Sequence, residues 1–75
     1  MEIRPRDLIR ALEKADWYVA RQGKGSHVVL RNRERPGMLI IALHGGGKSV
    51  PSGTLRSILR DARITEDELR KLISR

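Results

Sequence analysis

The chain has 75 residues, which is enough for one small hydrophobic core. It has no cysteine, which excludes a disulfide framework and a thiolate metal site. Its longest apolar run, residues 38–43, is far too short to span a bilayer, and charged side chains are spread through its first ten residues, so we expect a soluble cytoplasmic protein. Sixteen basic residues, 12 of them arginine, against nine acidic ones give a net charge of +7, which favours a polyanionic partner over a merely well-solvated surface.

The first predicted element is a helix over residues 5–15. Pro5 suits the first helical turn, and Asp7 interacts favourably with the positive end of the helix dipole. Leu8 and Leu12 lie on one face at helical spacing, and the basic residues lie away from it. This pattern is typical of an amphipathic helix that packs on a sheet.

Three strands are predicted next. Residues 17–22, 26–32 and 38–43 are rich in strand-forming side chains. The tripeptide "GKG" over 23–25 and the pair Pro36–Gly37 supply the two turns. Short turns between consecutive strands predict an antiparallel meander.

Two further helices follow a loop over residues 44–51. Ser52 is the expected N-cap of the first, whose apolar stripe includes Leu55. Thr65 and Glu68 have the spacing of a capping box, which predicts the start of a short last helix.

This order predicts an α+β fold in a single domain over residues 1–75, with a three-stranded antiparallel sheet covered on one face by helices. The order α-β-β-β-α, with a short extra C-terminal helix, is that of double-stranded-RNA-binding domains, an analogy at the level of the fold. Side chains alternate along a strand, so His27 and Arg31 are predicted to project from the uncovered face, and Val28 and Leu30 to pack under the helices.

His27 is the main candidate for a residue with a catalytic role. It follows small residues, Gly25 among them, at the first hairpin, with Arg21, Lys24 and Arg31 nearby. A histidine, whose ordinary pKa is near neutrality, can move protons while an RNA 2′-hydroxyl attacks the adjacent phosphate, and nearby cations can stabilise the developing charge. Glycines also let a phosphate approach backbone amides. The residues alone leave open the simpler interpretation of a polar side chain beside a turn.

Other groups of residues give weaker evidence for a catalytic or binding site. The chain lacks the clustered ligands of a metal hydrolase, and Ser26 adjoins His27 on a strand, so the two are poorly placed for a serine triad. The run "GGGKS" over 45–49 resembles a fragment of a phosphate-binding loop without its spacing to a helix. We keep Lys48 as a candidate phosphate contact and regard the loop chiefly as a connector.

Three more side chains are assigned structural roles. His44 ends the third predicted strand and is interpreted as a strand-end histidine. Trp17 and Tyr18 are assigned to the core, because the chain has no phenylalanine to fill it.

Two stretches, "RQGKGSHVVLRN" (21–32) and "SGTLRSILRDARITEDELRKLI" (52–73), resemble the HicA (YcfA-like) toxin family. The most specific parts are Gly25-Ser26-His27 and "GTLRSIL" (53–59). The resemblance implies a toxin of a type II toxin–antitoxin pair that cleaves mRNA, has a fold similar to the double-stranded-RNA-binding domain and is neutralised by a HicB-type antitoxin. It also implies that His27 is catalytic.

On this basis we expect a metal-independent endoribonuclease with no cofactor, in which His27 is the general acid or base. Contacts to RNA are expected from Arg21, Lys24, Gly25, Ser26, Arg31 and Lys48. The main alternative is a non-catalytic RNA-binding module of the same fold. A second is an interaction protein whose basic face meets an acidic partner, and a metal-dependent nuclease is the least favoured.

Three departures from the family pattern affect turns rather than the expected site. Asp16 and Arg63 stand where relatives often have glycine, and Ala42-Leu43-His44 stands where they often have Pro-x-His.

Overall fold

A computed structural model describes residues 1–23, 26–43 and 47–74. The predicted α+β fold and element order are confirmed, with element ends that differ from the predicted ones by one or two residues. The elements are α1 (Pro5–Glu13), β1 (Trp17–Gln22), β2 (His27–Asn32), β3 (Met38–Ala42), α2 (Ser52–Ala62) and α3 (Glu66–Ile73).

The three strands form one antiparallel sheet in the order β1-β2-β3, so β2 is the central strand. Val28 and Leu30 of β2 are paired with Ile41 and Leu39 of β3, and all four are buried. The alternation predicted along β2 is therefore confirmed. The turn between β2 and β3 uses Gly37 at φ 96, a backbone conformation that favours glycine.

The helices cover one face of this sheet. α1 packs against β1 and β3, α2 packs against β3, and α3 packs against α1 rather than on the sheet. The core between these layers is aliphatic except for Trp17, and its most completely buried large side chains are Leu8, Leu12, Leu30, Ile41 and Leu69.

α2 begins without a side-chain cap and ends with a non-glycine residue in the left-handed conformation. Pro51 occupies the N-cap position without a side-chain cap hydrogen bond, so the predicted capping role of Ser52 is wrong. The physical reason is that Pro51 already supplies the extended backbone before the first turn, and Ser52 lies inside the helix. At the other end, Arg63 adopts the left-handed conformation, and the Ile64 amide donates to the Leu59 carbonyl at 3.0 Å, a Schellman motif.

The predicted capping box of α3 is confirmed. The Glu68 amide donates to Thr65 Oγ1 at 3.0 Å, and the Thr65 amide donates to Glu68 Oε1 at 2.9 Å. The helix is held to the domain by Leu69, which is 0% exposed, and by Lys14 Nζ, which donates to the Leu72 carbonyl at 3.0 Å.

Candidate functional site

His27 is the first residue of the central strand, and hydrogen bonds on both sides hold the backbone there. Its carbonyl accepts from the Gly23 amide at 3.2 Å, and the carbonyl of Ser26 accepts from the Leu43 amide. The residue is paired with Ala42 of β3. These bonds extend the sheet to the edge of the hairpin, and they place an exposed His27 on the face that the helices leave uncovered.

We call this uncovered surface the open face. It consists of three cross-strand rows, and none of its eight residues is acidic. Row by row, these residues are Tyr18–Arg31–Met38, Arg21–Val29–Ile40 and His27–Ala42.

Arg21 belongs to the open face because β1 contains a bulge. The register passes from Val19 opposite Leu30 to Arg21 opposite Val29, which leaves Ala20 as the extra residue. Strict alternation would have turned Arg21 towards the helices. With the bulge, Arg21 is a diagonal neighbour of His27, at a backbone separation of about 7–8 Å.

Arg31 lies farther from His27 than the sequence suggested. It is four residues along the same strand, which is about 13 Å at 3.3 Å per residue, and Val29 lies between the two on the open face. Arg31 is therefore placed to contact an extended ligand that passes over His27, rather than the group that reacts there.

Two further predicted contacts, Ser26 and Lys48, lie near the same edge. Ser26 is half-buried in the bend before β2. Lys48 is exposed and lines a groove with Ala42, the register partner of His27. Lys24 and Gly25 lie outside the described residues, and so does the predicted strand-end residue His44.

Three arginines of α1 and its N-terminal flank were not predicted as part of the site. Arg4, Arg6 and Arg10 line a groove with Asp7, Leu43 and Gly47, and we call it the α1 groove. Leu43 is the residue whose amide bonds to Ser26, so the α1 groove lies beside the edge of the sheet that carries His27. The sequence indicated a polar helix face, but only the packing of α1 across the sheet brings that face to this edge.

The two aromatic residues of β1 lie on opposite faces of the sheet. Trp17 is 4% exposed and belongs to the core, as predicted. The same prediction for Tyr18 is wrong, because Tyr18 is 37% exposed on the open face with the Arg33 guanidinium 5.2 Å from its ring centroid. Adjacent residues of a strand point to opposite faces, so only one of the two can enter the core.

The charge distribution leaves the open face positive. Within residues 1–23, 26–43 and 47–74, the ion pairs join Arg60 to Asp61 at 3.9 Å, and Arg70 to Glu66 at 2.7 Å and to Asp67 at 3.3 Å. All of these lie on α2 and α3, and none of them involves an arginine of the open face. The same described residues contain no group of three or more histidine, cysteine, aspartate or glutamate side chains that could hold a metal ion.

Comparison with known protein families shows to which family the chain belongs. The sequence profile of the HicA toxin of bacterial toxin–antitoxin systems matches residues 5–64, well over half of the chain. The chain belongs to the HicA toxin family. Membership of the HicA family implies an antitoxin partner, and the matched range includes the hairpin with His27 and the whole open face.

Two other findings complete the comparison. No curated protein matches the sequence. Among the described residues, none of the helices has the length and apolar character needed to cross a membrane.

Proposed function

We propose that this HicA family member is a metal-independent endoribonuclease that cleaves mRNA, with His27 as general acid or base. The observation that carries the proposal is the position of His27: exposed, fixed by backbone hydrogen bonds on both sides and located on a face without acidic residues. A proton-transfer group needs such fixed placement, because catalysis depends on holding it in reach of one particular oxygen.

The reaction is an internal transfer within the RNA. The 2′-oxygen attacks the adjacent phosphorus, a P–O2′ bond forms and the P–O5′ bond breaks, which leaves a 2′,3′-cyclic phosphate and a 5′-hydroxyl. As a base, His27 takes the proton of the 2′-hydroxyl, and water protonates the leaving 5′-oxygen; as an acid, His27 protonates the leaving 5′-oxygen, and water takes the proton of the 2′-hydroxyl. Neither step requires a redox partner or an added nucleophile.

The arginines would stabilise negative charge on the RNA. Arg21, the diagonal neighbour of His27, is placed to stabilise the negative charge that develops on the phosphate. Arg31 and the α1 groove lie farther away, where they would hold the phosphates on either side of the cut. The proposed RNA contacts also include Ser26 and Lys48 near the same edge, and Lys24 and Gly25, which lie outside the described residues.

The decisive experiment is cleavage of RNA by the purified chain and by its His27→Ala and His27→Gln variants, in the presence of EDTA. We expect the parent to cleave and both variants to lose about 100-fold or more of the rate, because general acid–base catalysis contributes on that order. Thermal unfolding should be little changed, since the ring is exposed. An RNA-binding module would bind RNA without cleavage in all three proteins. A requirement for a divalent metal, or cleavage that survives both substitutions, would refute the proposed chemistry.

We propose further that a HicB-type antitoxin inhibits by covering His27 and the open-face arginines with an acidic surface, since charge complementarity guides such contacts. RNA and antitoxin should then compete for the chain. Arg21→Ala should weaken both interactions, and Arg56→Ala, an exposed arginine of α2, is the matched control. Simultaneous binding of RNA and antitoxin at saturating concentrations would contradict this mode of inhibition.

A further inference from the structure

The open face carries more apolar surface than a solvent-facing sheet requires. Met38 is 47% exposed, Ile40 is 54% exposed and Tyr18 is 37% exposed, and all three lie on the side of the sheet opposite the helices. Exposed apolar side chains that are contiguous and rimmed by charge mark a binding surface more often than scattered single ones do. Here the rim consists of His27 and arginines.

Tyr18 is the aromatic residue of this surface. The chain has one tyrosine, one tryptophan and no phenylalanine, and the tryptophan is buried, so Tyr18 is the exposed aromatic ring next to which a planar ligand could lie. Arg33 lies over the ring at 5.2 Å from its centroid, and Arg31 is the direct cross-strand partner of Tyr18. An aromatic ring for a base beside guanidinium groups for phosphates is the combination by which proteins hold unpaired nucleic-acid strands.

The register fixes where such a base would lie relative to the cut. Tyr18 is in the row of Arg31, which is four residues and about 13 Å along the sheet from the row of His27. The ring therefore cannot hold the nucleotide whose phosphate reacts at His27, but it can hold a neighbouring one of the same strand.

We infer that Tyr18 is a stacking subsite for an unpaired base near the cut, and that the substrate is accordingly single-stranded at the site of cleavage. This inference rests on the proposed function, because it assumes that the chain binds RNA. It departs from the likeness to double-stranded-RNA-binding domains, which recognise a duplex by its shape and backbone. Bases inside a duplex are stacked on one another and cannot lie on a protein ring.

A protein partner could use the same surface, but RNA fits it better. The open face combines an aromatic ring, four apolar side chains and two arginines with a histidine, and it has no carboxylate that would repel phosphates. An acidic protein would use the arginines but would not need a ring flanked by two guanidinium groups.

The test measures binding in the His27→Ala chain, so that the RNA stays intact. Three labelled ligands of equal length are compared at one salt concentration: a single-stranded RNA, a duplex RNA and a strand in which the central nucleotides are abasic. We expect Tyr18→Ala to weaken single-stranded RNA binding by about 5- to 150-fold, the range found for one base stacked on an aromatic ring. Tyr18→Phe should bind like the parent. On the abasic strand, Tyr18→Ala and the parent should bind equally.

Ile73→Ala is the matched control, because Ile73 is 42% exposed but lies on α3. The inference is overturned if Tyr18→Ala binds single-stranded RNA like the parent, if the loss is as large on the abasic strand, or if the substitution weakens antitoxin binding alone. Failure of the proposed function looks different: the His27→Ala chain then binds no RNA, or the parent binds RNA without cleaving it. Cleavage that depends on His27 but is indifferent to Tyr18 would remove the subsite and leave the catalytic proposal intact.

Discussion

Replacing Arg63 with glycine is expected to stabilise the protein, although the change removes a whole side chain. Arg63 follows α2 at φ 59 and ψ 42, in the left-handed region, where the Cβ atom approaches the backbone. That conformation costs an L-residue about 1–2 kcal/mol, and glycine avoids the cost. Glycine also gives the unfolded chain more conformational freedom, which lowers the stability of the folded state by about 0.4–1 kcal/mol and offsets part of this gain. Taking the middle of each range, the net gain is about 0.8 kcal/mol, or about 3–6 °C in Tm for a domain of this size.

The assay is thermal and urea unfolding of Arg63→Gly beside Arg63→Ala, which removes the same side chain but keeps the Cβ atom. Arg60→Gly is the second control, because residue 60 lies inside α2, and glycine there should cost about 1 kcal/mol. Asp16 has φ 73 and should show a smaller gain as glycine, since aspartate tolerates this conformation better than arginine does. If Arg63→Gly is no more stable than Arg63→Ala, backbone strain at this position is not the cause.

Three further predictions concern α3 and the open face. Leu69→Ala should cost about 2–5 kcal/mol of unfolding free energy in urea, because the side chain is completely buried, although α3 lies beyond the matched range 5–64. Hydrogen bonding by the Thr65 amide holds the pKa of Glu68 below its ordinary value of 4.5, so the carboxylate stabilises the fold above pH 4.5, and this contribution is lost as the pH falls through the lowered pKa. Glu68→Gln should accordingly be less stable than the parent at pH 7, and the difference should shrink in acid; a difference that does not change with pH would contradict this assignment. Arg31→Ala should reduce the slope of log binding constant against log salt for single-stranded RNA by about 0.7, whereas Arg60→Ala should leave it unchanged.

The fold followed from local patterns that the structure preserves. Alternation along 26–32 predicted which side of β2 would be buried, and Val28 and Leu30 are 3% and 0% exposed. The capping-box spacing of Thr65 and Glu68 gave the start of the last helix. Such signals are reliable because each depends on a few neighbouring residues and on one packing partner. The departures noted at Asp16 and Arg63 were informative as well, since both residues have positive φ.

The extent of the candidate site was less predictable, because it depends on irregular and long-range features. A bulge at Ala20 turns Arg21 to the open face, and periodicity does not reveal a bulge. The α1 groove depends on where α1 crosses the sheet, which no property of α1 alone determines. Tyr18 was assigned to the core from composition, but strand alternation separates it from Trp17. Each of these was decided by tertiary structure.

The placement of His27 on a strand, rather than in a loop, has a consequence for the whole open face. Distances along and across a sheet are set by its register, so the positions of Arg21, Arg31 and Tyr18 relative to His27 are fixed together. A slip of β2 by one residue would turn His27 and Arg31 towards the helices and expose the core side chains of that strand. The burial of Val28 and Leu30 therefore does more than stabilise the domain. It disfavours any slip of β2 by one residue, which would remove the histidine and Arg31 from the surface that they share with Arg21 and the aromatic ring.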